Sequence, residues 1–148
     1  MNWFFLLLAF LIGISNAVQS GVNAQLRESL NNPILAAVTS FLVGLAVLLI
    51  AFACFNQSPV PGFSQIRQIP WIRFTGGIFG AFYIITVIFI IREIGPANMI
   101  CLVIAGQMVA AITIDHYGLQ GFAVHQITLP RILGVILLVI GVYLILKN

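Results

Sequence analysis

Asn16, Gln19, Ser20 and Asn23 recur at i, i+3, i+4 and i+7, so a helix places all four on one face, with Ser15 beside it. Carboxamides and hydroxyls both donate and accept hydrogen bonds without carrying charge. In an apolar setting they are costly unless bonded. The stripe therefore has two readings. One is a substrate-facing wall of a cavity, since polar groups inside a membrane mark pathways. The other is interhelical hydrogen bonding that holds a bundle together. Tyr83 and Thr86, at i and i+3, form a second polar patch, and Gln107 follows Gly106 as a large polar residue in another apolar stretch. Asn16, Gln19, Asn23, Tyr83 and Gln107 are the candidate substrate-binding residues. Asp115, beside His116, is a candidate for proton or ion coupling; the alternative is a solvated charge that ends a helix.

Other chemistries lack their actors. No glycine-rich phosphate loop ending in Lys-Ser or Lys-Thr occurs, and neither GxSxG nor HExxH is present. No pair of carboxylates lies within one apolar stretch, so acid–base catalysis has no evident residues and no enzyme is expected. One His beside one Asp does not make a metal site, and no cofactor-binding motif is found. Cys54 and Cys101 both sit in apolar segments, where cysteine behaves as a small hydrophobe. The net charge of +3 comes from six scattered Lys and Arg residues. A nucleic-acid surface needs a concentrated basic face, so no nucleic-acid partner is expected.

These polar residues must be positioned by a membrane scaffold. Of the 148 residues, 61% are hydrophobic and 6% charged, against about a quarter charged in soluble domains. A small soluble domain cannot hide that much apolar surface, so the lipid bilayer is the expected partner. Five apolar stretches, at about 3–25, 33–55, 71–91, 96–114 and 129–146, approach the ~20 residues that span a bilayer as a helix. The expectation is an all-α integral membrane bundle of five transmembrane helices forming one domain, 1–148. All nine charges fall between or at the edges of these stretches, because a charge at a helix centre costs about 2.5 kcal/mol or more on insertion. The breakers agree: Asn31-Asn32-Pro33, the proline-rich 59–70 stretch, Gly95-Pro96, and Gly118 with Gly121. Ser15-Asn16-Ala17 resembles a cleavage site, but the segment lacks a positive n-region and reads as a retained helix.

Small residues suggest where helices meet. Gly76 and Gly80 have the small-xxx-small spacing that permits close approach. Gly134 and Gly141, seven residues apart, share a face of the last helix, which suits either a dimer interface or internal packing. Alternating spans would put Arg27, Arg92 and Lys147 on one side and Arg67, Arg73 and Arg131 on the other. Three against three leaves the positive-inside rule without a preference. Dual insertion and antiparallel homodimerisation follow as one reading; uninformative charges, or a partner that fixes the topology, are the other. With an odd number of spans and no internal repeat, a second, inverted copy would supply the symmetry that secondary transporters use.

Several runs together carry a resemblance. Gly-Gly-Ile-Phe-Gly-Ala-Phe-Tyr at 76–83, Ile94-Gly95-Pro96-Ala97, Ala105-Gly106-Gln107, Ile114-Asp115-His116-Tyr117-Gly118, Arg131-Ile132-Leu133-Gly134 and Gly141-Val142 resemble the YdcZ-type family of the drug/metabolite transporter superfamily. The resemblance spans nearly the whole chain and is most specific from Gln107 to Asp115. It implies a multi-pass bacterial inner-membrane exporter, the five-helix half-unit of an inverted-repeat architecture. Small multidrug-resistance proteins, shorter relatives, carry a membrane carboxylate in their first helix; this chain departs from them by offering Asn16, Gln19 and Asn23 there. The expected function is a small secondary transporter of a metabolite or drug-like molecule. The alternative is a non-transporting membrane subunit of a larger complex.

Overall fold

The computed structural model describes residues 3–147. Among these the chain is helical without strands: α1 (Trp3–Leu30), α2 (Pro33–Phe55), the short α3 (Phe63–Arg67), α4 (Gly76–Ile94), α5 (Pro96–Tyr117) and α6 (Leu129–Lys147). A 3-10 turn, Trp71–Phe74, leads into α4, and another, Leu119–Gly121, follows α5. Five segments are long and apolar enough to cross a membrane: α1, α2, Trp71–Ile94, α5 and α6. Helix is obligatory there because lipid offers no partner to a free N–H or C=O. Their large apolar side chains are mostly exposed, Leu48 at 67% and Leu137 at 68% among them. That is the surface expected of helices solvated by lipid.

The chain divides into two compact units, Met1–Arg92 and Glu93–Asn148. In the first, α1 packs on α2. Its core joins Ala36 and Ala37 of α2 to Ile84 and Ile88 of α4, with Leu26 and Leu30 of α1 against them. Two alanines in succession let the helices approach closely. In the second unit α5 packs on α6.

The helix ends are written locally. Asn31 adopts φ 50°, the left-handed conformation that asparagine tolerates after a helix. Asn32 then caps α2: its Oδ1 accepts from the N–H groups of Ile34 and Leu35, each at 3.0 Å, and Pro33 opens the helix. Between α2 and α4, the Gly62 N–H donates to Gln65 Oε1 at 3.0 Å and starts α3. Gly95 (φ 81°) precedes Pro96, and Gly118 (φ 60°) ends α5.

Two boundaries differ most from the sequence expectation. The first helix continues past residue 25 to Leu30, because Arg27 and Glu28 both find partners on α4 within the helix. The third span does not begin as α-helix at Trp71; Pro70 leads into a single 3-10 turn, and regular helix starts at Gly76.

Candidate functional site

The polar stripe on α1 divides among different environments. Asn16 meets α4: its Nδ2 donates to the Tyr83 hydroxyl at 3.0 Å, and that hydroxyl donates to Asn16 Oδ1 at 3.1 Å. Ser20 donates back to the Asn16 carbonyl at 2.9 Å, a common way for serine to satisfy itself in a helix. Ser20 and Asn23 are buried, at 3% and 4% exposure.

Gln19 has a different fate. It lies about 16 Å along the axis from the Leu30 end, near the middle of a span. It makes no hydrogen bond among the described residues. It borders a cavity of about 630 Å³ between α1, α2 and α4, whose walls include Ser40 and Phe41 of α2 and Ala81, Ile84 and Ile85 of α4. Gln19 and Ser40 are the two polar side chains of this lining. Gly80 borders the same helix contact: a Cβ there would sit 3.8 Å from the Phe41 ring. At Gly76 a Cβ would meet open space among the described residues.

The end of α1 is tied to the end of α4 by charge. Arg27 donates to the carbonyls of Ile88 at 2.8 Å and Phe89 at 3.2 Å, and its guanidinium lies 5.7 Å from the centre of the Phe89 ring. A guanidinium donating to a carbonyl makes a charge-assisted hydrogen bond, stronger than one between neutral groups. Glu28 forms an ion pair with Arg92. Sequence reasoning missed this clasp. Span alternation held the signal, since it puts 27–28 and 92 on the same side.

In the second unit Gln107 is exposed on α5. Asp115 pairs with Arg131 of α6 at 3.3 Å. Its backbone carbonyl accepts from the His125 N–H at 2.8 Å. Nδ1 of His116 faces the Ile127 N–H at 3.4 Å, a long contact. These bonds fold the 118–128 connection back onto the end of α5. A smaller cavity, about 330 Å³, lies between α5 and α6 and is lined by Asp115, Arg131 and Gly134. A Cβ at Gly134 or Gly141 would meet nothing within 4 Å among the described residues.

A mid-span carboxamide with unspent hydrogen-bonding capacity, on the wall of a cavity of this size, can hold a small molecule. The Asn16–Tyr83 and Asp115–Arg131 pairs can also serve packing alone. Comparison with known proteins fits this architecture. The chain is 28% identical over 146 residues to the Inner membrane protein YdcZ of Escherichia coli (strain K12), a match covering 97% of this chain and 96% of that protein. No solved structure matches. The family model described as "Putative inner membrane exporter, YdcZ" matches residues 4–144, and the chain, a multi-pass inner-membrane protein, belongs to that family.

Proposed function

We propose that this protein is a small secondary transporter that exports a small molecule, working as an antiparallel pair of identical chains. The observation that carries this reading is Gln19, a carboxamide at mid-span that is unpaired among the described residues and borders a cavity of about 630 Å³. Leaving such a group unbonded in hydrocarbon costs about 1–3 kcal/mol, and a polar ligand offsets that cost. Asn16, Asn23 and Tyr83 stand on the same pair of helices and complete the substrate-binding set in the first unit. Gln107 is a separate polar position on α5, and Asp115 the candidate for ion coupling. Pairing of inverted copies is supported by the even division of arginine and lysine between the two sides and by the odd number of spans. Export as the direction is supported by the description of the family.

The test is efflux from proteoliposomes containing only the purified protein and loaded with a panel of small fluorescent molecules. Efflux that disappears in Asn16→Leu/Gln19→Leu, with membrane insertion unchanged, supports the reading. Unchanged efflux in that double variant overturns the site. A second reading, a packing subunit of a larger complex, is favoured by the Asn16–Tyr83 bond; it requires that the protein alone move nothing.

A further inference from the structure

We propose that the cavity beside Gln19 takes an uncharged, largely apolar molecule carrying one hydrogen-bonding group. This deepens, and rests on, the reading of that cavity as a substrate site. The lining contains no ionisable side chain. The acidic residue of the first unit is Glu28, about 14 Å farther along α1 than Gln19 and already paired with Arg92. A cation would therefore enter an apolar cavity without a counter-charge, and removing an unpaired ion from water is strongly unfavourable. An anion fares no better. Arg27 is not part of the lining; its guanidinium is held on the carbonyls of Ile88 and Phe89 and lies against the Phe89 ring.

Neutral hydrogen bonding is what the walls do offer. Gln19 supplies two donors and an acceptor, none of them used within the described residues. Ser40 is a second unspent group. Thr39 Oγ1 bonds back to the Leu35 carbonyl at 2.8 Å, and Ser20 and Thr113 do likewise on their helices, whereas Ser40 makes no hydrogen bond among the described residues. Around these two groups the wall is aliphatic and aromatic, with Phe41, Ile84 and Ile85 available to an apolar body. A volume near 630 Å³ is within the range of sites for drug-sized molecules.

Three triphenyl probes of closely similar size separate the charge classes: triphenylphosphine oxide (neutral, with a hydrogen-bond acceptor), the cation methyltriphenylphosphonium and the anion cyanotriphenylborate. Each is radiolabelled and equilibrated with the full chain in lipid nanodiscs, and binding to empty nanodiscs is subtracted. The oxide is expected to bind in excess and the two ions not. Gln19→Leu should weaken the oxide about tenfold, the worth of one hydrogen bond between neutral groups. Ala81→Phe, which fills the groove, should abolish its binding. The comparison of probes on the unaltered protein needs no variant to fold. Excess binding of either ion at or above the oxide overturns the proposal. So does absence of excess oxide binding, or oxide binding indifferent to both substitutions. Proteoliposome efflux keeps the two readings apart: an oxide that binds but is not moved defeats transport alone, whereas a bound and transported cation defeats the neutral class alone.

Discussion

At the residue scale, four polar side chains with one helical spacing acquire different roles from what lies opposite them. Asn16 meets a tyrosine, Gln19 meets a cavity, and Ser20 returns to its own backbone. The Asn16–Tyr83 bond is reciprocal, so a double-mutant cycle with Asn16→Leu and Tyr83→Phe should yield a coupling of about 0.6 kcal/mol and at most about 1.7 kcal/mol, the mean and maximum for polar pairs between membrane helices. Unfolding titrations in mixed micelles would read it, and additivity of the two substitutions would show that the bond adds nothing to the folded state. Arg27 offers a second residue-scale test. Arg27→Met keeps most of the stem and loses two hydrogen bonds to carbonyls and the contact with Phe89. It should lower stability by about 1–3 kcal/mol. Glu28→Gln, by contrast, disrupts a pair whose side chains are 42% and 56% exposed, and should cost at most about 1 kcal/mol.

At the scale of elements, the connection after α5 depends on one backbone conformation. Gly118 has φ 60°, and a Cβ built there lies 2.6 Å from Val124 Cγ2 and 3.3 Å from the Phe122 carbonyl oxygen. Gly118→Ala should therefore destabilise by about 2 kcal/mol, from the left-handed backbone and the clash together. Adding Val124→Ala should recover the part due to the side-chain contact and leave the backbone part. Thermal unfolding in detergent separates the two. Gly134→Ala places its methyl in open space on α6 and should change single-chain stability by no more than about 0.5 kcal/mol. If the glycine face of α6 contacts a second copy, Gly134→Leu should lower the dimer fraction seen by single-molecule photobleaching while the monomer stays folded.

At the scale of the whole molecule, the question is how the chain enters the membrane. Arg67 and Arg73 form no ion pair among the described residues, so both can be changed without breaking the clasps on either unit. Arg67→Ser/Arg73→Ser leaves three cationic residues against one and should drive insertion to one orientation. Reporters fused to the C-terminus and active on only one side should give signal from both with the unaltered chain, and from one with this variant. For an antiparallel pair, the variant alone should lose efflux. Co-expression with the oppositely biased Gln57→Arg/Gln68→Arg should restore it. Efflux by the biased variant alone would remove the antiparallel requirement.

The charge placement, the five apolar stretches and the breakers between them already determined an all-α membrane protein, because lipid admits few spanning solutions and each is visible as composition. Asn32-Pro33, Gly95-Pro96 and Gly118 were legible as helix boundaries because caps and turns are written in adjacent residues. The spacing of Asn16, Gln19 and Asn23 marked a polar face but not its fate, since a helical wheel says nothing of what stands across from it. The extension of α1 to Leu30 depended on partners 60 residues away in sequence, as did the Arg27–Glu28 clasp on α4. Only the tertiary structure decided that Asn16 is bonded and Gln19 is not. It set the uncharged wall of α2 and α4 opposite Gln19, which makes no hydrogen bond among the described residues.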